Sequence, residues 1–114
     1  MTTTTFESYQ LATEATAVYP NDTEIMALSY VTLGLTGEAG EIANKVKKIL
    51  RDAGGEVTKE HRDNIAAEVG DVLWYLTRLA DELGYSLEEI ATSNMEKLAS
   101  RKDRGVLQGS GDNR

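Results

Sequence analysis

The sequence predicts an all-α protein, a four-helix bundle folded as one domain. Three observations predict it. The chain has 114 residues, room for one core and not two. Apolar residues recur at helical spacing through segments too long to be strands. The breaks between those segments are short, which favours antiparallel neighbours.

The elements follow in order. The first helix is expected near residues 4–18, although its threonines are poor helix formers. Pro20, followed by Asn21-Asp22-Thr23, stops one helix and starts another, expected near 23–52. Ala53-Gly54-Gly55 is the next break, and a third helix is expected near 58–83. Gly84-Tyr85-Ser86 follows. Ser86 and Glu89 have capping-box spacing, so a fourth helix is expected near 86–103. Residues 1–104 read as the single helical domain, and 105–114 as a flexible, glycine-rich tail.

Composition removes several chemistries. There is no cysteine and one histidine, His61. Disulfides, thiolate zinc, iron–sulfur clusters and cysteine nucleophiles are excluded together. Acidic residues outnumber basic ones 19 to 12, for a net charge of -7. No nucleic-acid polymer is expected as a partner, because its backbone needs a basic face. No apolar run approaches the ~20 residues of a membrane span. The stretch Met1-Thr2-Thr3-Thr4-Thr5 lacks the regions of a secretion signal. A soluble, cytoplasmic protein is the expectation.

Helical wheels place acids where leucines belong. On the second helix, Val31, Leu35, Ile42, Val46 and Ile49 fall within about 80° of Glu38. Glu41 lies one turn along at the border, and Lys45 and Lys48 continue that row. On the third helix, Ile65, Val72, Leu76, Leu79 and Leu83 fall within about 80° of Glu68, with Asp71 one turn further. Each helix therefore carries a carboxylate pair at i, i+3 on its core side. Packed together, they bring four carboxylates into one small volume. Like charge and desolvation both oppose that, so a cation is expected. All the donors are hard oxygens, which selects Mg²⁺, with Mn²⁺ as a substitute. Border acids also commonly snorkel to solvent or pair with lysine, so the pattern alone leaves a solvated acidic border open.

On the fourth helix, Asn94, Lys97 and Arg101 sit in or beside the apolar stripe marked by Leu87, Ile90 and Leu98, with Arg104 slightly further round. Salt bridges within the chain account for them, and so does a cationic wall facing a metal-bound polyphosphate. A di-iron bundle needs Glu-x-x-His, but Thr58 stands three before His61. No serine near His61 has a nucleophile-elbow motif.

Gly37-Glu38-Ala39-Gly40-Glu41 and Ala67-Glu68-Val69-Gly70-Asp71-Val72-Leu73-Trp74-Tyr75-Leu76 resemble the MazG-like nucleotide pyrophosphohydrolases of the all-α NTP pyrophosphatase superfamily. Asn94-Met95-Glu96-Lys97-Leu98, with Arg101 and Arg104-Gly105, resembles the small phage-type branch. The broader family often has a further Glu where this chain has Gly37. The resemblance implies Mg²⁺-dependent hydrolysis of a nucleoside triphosphate to the monophosphate and pyrophosphate. It also implies a homodimer or homotetramer that completes the bundle between chains. On that reading Glu38, Glu41, Glu68 and Asp71 hold metal, and one of them handles the attacking water. Lys45, Lys48, Lys97, Arg101 and Arg104 are the pool for phosphate contacts, with Asn94 for sugar or phosphate. Trp74 is read as interface packing or as a platform for the base, and Tyr75 as a ligand contact or a packing residue. Gly37, Gly40 and Gly70 are expected to let helices approach closely beside the ions. Two rival readings are a phosphoribosyl-ATP pyrophosphohydrolase-like enzyme and a non-catalytic helical interaction module.

Overall fold

The computed structural model describes residues 3–114. Met1 and Thr2, part of the stretch read above for a secretion signal, lie outside the described residues. All regular structure among the described residues is helical: α1 (Phe6–Thr13), a 3-10 turn (Glu14–Thr16), α2 (Glu24–Asp52), α3 (Lys59–Glu82) and α4 (Leu87–Asp103).

α1 is shorter than its pattern suggested. The Thr13 hydroxyl donates back to the Gln10 carbonyl at 2.7 Å, and Thr16 to the Thr13 carbonyl at 3.3 Å. Such local bonds compete with helix propagation. The other helices start where their caps predict. Thr23, Thr58 and Ser86 each accept the amide of the third helical residue. Each cap contributes about 1 kcal/mol. At α3 the bond is returned, because His61 Nδ1 accepts the Thr58 N–H at 3.1 Å.

α2 and α3 form a long antiparallel pair, and α1 lies against α3. α4 touches α1 and the end of α3 but not α2. Gly84 makes that departure possible. It sits at φ 81°, and the Tyr85 amide reaches back to the Ala80 carbonyl at 2.9 Å. Only glycine takes that conformation without strain. Gln10 then fixes the direction of α4. Its side chain donates to Asp81 and to the Tyr85 carbonyl, both at 3.1 Å, and accepts the Leu87 amide at 2.8 Å.

The apolar core is small: Tyr19, Ala27 and Val31, flanked by Trp74, Tyr75 and Leu79. Beside it lies a buried cation. Arg78 is 5% exposed and donates to Tyr19 at 3.3 Å, Thr13 at 3.2 Å and Asp81 at 3.1 Å. Tyr19 in turn donates to Glu82. The wheel stripes are only partly covered: Val46, Leu76 and Leu83 are exposed, as are Leu33, Leu50 and Leu73. The radius of gyration is 17.3 Å, against about 13 Å for a compact domain of this length. The chain exposes 8329 Å², about 2,000 Å² more than a monomer of its mass ordinarily does. The four helices do not close a bundle within one chain.

Candidate metal centre

Antiparallel packing brings the middle of α2 against the middle of α3. Glu38 there meets Glu68 and Asp71, with one oxygen from each within 4.8 Å of the others. Glu38 and Glu68 are half-buried, and Asp71 is exposed. The Glu38 carboxyl titrates above its ordinary range. The main cause is a hydrogen bond shared with the Glu68 carboxyl, followed by burial and the charges of Asp71, Glu68 and Glu41. Oε2 of Glu68 is buried without a hydrogen-bond partner. Its Oε1 is 3.9 Å from the Lys45 ammonium. An orphaned carboxylate oxygen among converging acids is a place for a hard cation. No imidazole competes, since His61 lies outside this group. Glu41 also lies outside it, exposed and one turn along α2.

Tyr75 packs beside the acids. Burial is the main cause of its raised pKa, with Tyr30 and Glu38 adding to it. Its ring occupies the space a side chain at position 34 would fill, since a Cβ on Gly34 would stand 2.1 Å from Tyr75 Cε1. Trp74 is half-buried within the chain. It packs edge-on against Tyr75 and Tyr19, at centroid distances of 5.0 and 6.2 Å, and donates to Thr16 at 2.8 Å. Gly37, Gly40 and Gly70 have open space where a Cβ would stand, so no close helix approach within the chain requires them.

The basic residues divide. Lys45 is at the acids, and Lys48 lines a cavity next to it. The residues of α4 are elsewhere. Asn94 and Lys97 line a groove with Leu83 and Tyr85, and Leu83 is about 18 Å along α3 from Asp71. Arg101 is buried and donates to the Asp112 carbonyl at 3.2 Å. Arg104 donates to Ser100 at 3.0 Å and to the Arg114 carbonyl at 2.8 Å. Because Gln10 directs α4 away from α2, these four side chains do not meet the acids of their own chain. Residues 105–114 close back on the end of α4, where the Arg114 guanidinium holds the Val106 and Leu107 carbonyls at 3.0 and 3.3 Å.

Three tyrosines escaped the sequence reading. Tyr9 on α1 has its pKa raised by burial and by the charge of Asp71. Tyr30 stacks on Tyr19 at 5.4 Å. Nothing in α1 flagged Tyr9, because its short helix has no clear apolar stripe.

The fold and the site define an all-α protein with a carboxylate centre suited to a divalent cation. The MazG nucleotide pyrophosphohydrolase domain matches residues 27–106, and the chain belongs to that family. It is 59% identical over 109 residues to the Gene 37 protein of Mycobacterium phage L5, covering 93% of this chain and 96% of that one. It is 38% identical over 72 residues to the uncharacterized protein YvdC of Bacillus subtilis, covering 59% of this chain and 68% of that one. YpjD of the same organism, also uncharacterized, is 36% identical over 78 residues, 68% of this chain and 69% of that one. No solved structure matches the chain. No helix among the described residues is long and apolar enough to cross a membrane.

Proposed function

We propose that this protein hydrolyses a nucleoside triphosphate to the monophosphate and pyrophosphate, with Mg²⁺ as its ion and Mn²⁺ as a substitute. The observation that carries the reading is the convergence of Glu38, Glu68 and Asp71, with one Glu68 oxygen buried and unpartnered. Glu38, Glu68 and Asp71 hold the ion, with Glu41 at the rim. A bound ion neutralises the acids, polarises phosphoryl oxygens and makes water more acidic. Water forms a bond to the α-phosphorus, and the bond to the β-phosphoryl oxygen breaks. On this reading Glu41, exposed and outside the triad, takes the proton from water. Lys45, 3.9 Å from Glu68, offsets negative charge on the departing pyrophosphate. Tyr75 and Trp74 form the aromatic side of the site.

We propose also that the active form is a homodimer or homotetramer in the cytoplasm, where nucleotide pools lie. The extra exposed surface and the uncovered leucines support this, since an obligate interface buries about 2,000 Å² or more in total. A second copy then supplies the α4 residues Asn94, Lys97, Arg101 and Arg104, which their own chain directs elsewhere.

The test is pyrophosphate release from a panel of NTPs and dNTPs, with Mg²⁺ or EDTA, for wild type and Glu68→Ala. Release that needs metal and is lost in the variant supports the reading. No release from any nucleotide overturns it.

A further inference from the structure

Beyond the acids, toward the α2–α3 turn, lies a cavity of about 370 Å³. Its polar walls are Lys45, Lys48, His61 and Asn64 over a floor of Ile49 and Ile65. Asp52 also borders it, but the Arg51 guanidinium grips both Asp52 oxygens, at 2.7 and 2.8 Å. Each of the remaining polar groups offers a donor. Lys45 belongs to the cavity wall and to the metal centre alike, so the two are continuous.

His61 is the informative member. Its Nδ1 accepts the Thr58 amide in the cap of α3. The ring proton must therefore be on Nε2, and a neutral His61 is a donor. The cap also fixes the ring, so that donor is preorganised at little entropic cost. The free amides of the first turn of α3 add favourable potential for an anion.

The two ends of the metal centre differ in kind. Running along α3, His61 precedes Glu68 by seven residues, about 10 Å, and Tyr75 follows Asp71 by one turn. On α2 the order is mirrored: Tyr30 and Gly34 lie before Glu38, and Lys45 and Lys48 after it. One end of the seam is aromatic and the other cationic. A nucleotide has the same polarity.

We propose that the cavity of Lys45, Lys48, His61 and Asn64 is the pyrophosphate subsite, with His61 Nε2–H donating to a β- or γ-phosphoryl oxygen. This rests on the hydrolase reading above and adds a direction to it. The base lies toward Tyr75 and Tyr30, and the polyphosphate runs from the acids to the turn. Pyrophosphate is then the product that stays in the cavity, and the monophosphate leaves from the aromatic end.

The experiment compares wild type, Lys48→Ala, His61→Asn and His61→Gln. Asparagine retains an acceptor for the Thr58 cap but cannot reach into the cavity. Glutamine restores a donor at the reach of Nε2. The readouts are calorimetric binding of inorganic pyrophosphate with Mg²⁺ and product inhibition by pyrophosphate and by monophosphate. Pyrophosphate should bind 5- to 20-fold more weakly to Lys48→Ala and His61→Asn, and His61→Gln should recover part of the loss. Monophosphate inhibition should not change. Unchanged pyrophosphate binding in both Lys48→Ala and His61→Asn overturns the subsite, even where hydrolysis is normal. Equal weakening of pyrophosphate and monophosphate overturns the assigned direction. Should wild type hydrolyse no nucleotide, the binding arm still decides the cavity independently of the reaction.

Discussion

Replacing Glu68 by glutamine should stabilise the metal-free protein and at the same time remove its response to metal. Oxygens of Glu38, Glu68 and Asp71 lie within 4.8 Å of one another. Two unit charges at that distance repel by about 3 kcal/mol at an effective dielectric near 20. The raised pKa of Glu38, which lessens its charge, and water at exposed Asp71 reduce this by about half. Glutamine retains the size and the hydrogen bonding of Glu68 without its charge. It forfeits the Lys45 pair at 3.9 Å, which at such exposure is worth about 0–1 kcal/mol. The net gain is about 1 kcal/mol, or a Tm rise of about 4–5 °C at this chain length. Saturating Mg²⁺ reverses the order. At a hundredfold excess over Kd, an ion adds about 2.7 kcal/mol to wild type, and the variant should gain almost none. Thermal unfolding of both proteins in EDTA and in Mg²⁺ gives the four values. A variant less stable than wild type in EDTA, or one that Mg²⁺ stabilises equally, would refute the reasoning.

Three further outcomes are expected. Glu38 binds its proton more tightly folded than unfolded, so its contribution is full below its ordinary pKa of 4.5 and is lost as pH rises through the raised value. The Tm of metal-free protein should therefore fall between mildly acid and neutral pH, and Mg²⁺ should flatten that fall in a melting series. Gly34→Ala would place a Cβ 2.1 Å from the Tyr75 ring. It should cost about 1–3 kcal/mol by urea unfolding, and Tyr75→Leu in the same chain should recover part of it. Leu76→Glu puts a charge on an exposed apolar face. In analytical ultracentrifugation it should shift the proposed oligomer to smaller species without unfolding the helices.

The helices and the acids were legible for the same reason. Both depend on spacing along one chain, and a helix has a fixed period. Ser86 announced its helix because a cap is a local bond, and Thr23 closed the break after which the next helix starts. Glu68 and Asp71 stood out by i, i+3 spacing on an apolar border; the same spacing paired Glu41 with Glu38, and the fold leaves Glu41 outside the cluster. The path of α4 was not legible. It is set by Gln10, whose partners Asp81 and Leu87 lie more than 70 residues away. That one side chain separates Asn94 and Lys97 from the acids that their charge pattern appeared to answer. Arg78 was missed because a wheel sorts residues by polarity, and it reads a buried guanidinium as an exposed one. His61 was read only against catalytic and metal motifs. Its pairing with Thr58 in the cap is a Thr-x-x-His spacing, visible in sequence once histidine is admitted as the returning partner.

α3 distributes stability and chemistry unequally along its length. Its C-terminal half is tied down by Trp74 to Thr16, by Arg78 to Tyr19 and Thr13, and by Asp81 to Gln10. Its N-terminal half carries the cap of Thr58 and His61 and faces α2 through Lys45 and Glu68. The charged centre lies at the middle of α3 and the cationic cavity toward its N-terminal end. Their repulsive charges weaken this stretch until a cation and an anion arrive together. A metal–polyphosphate complex supplies both at once, positive where Glu68 has an oxygen without a partner and negative where Lys48 and His61 are donors. On the proposed function, substrate binding and completion of the α2–α3 pair are the same event, and either ion alone should tighten this end of the hairpin less than the two together.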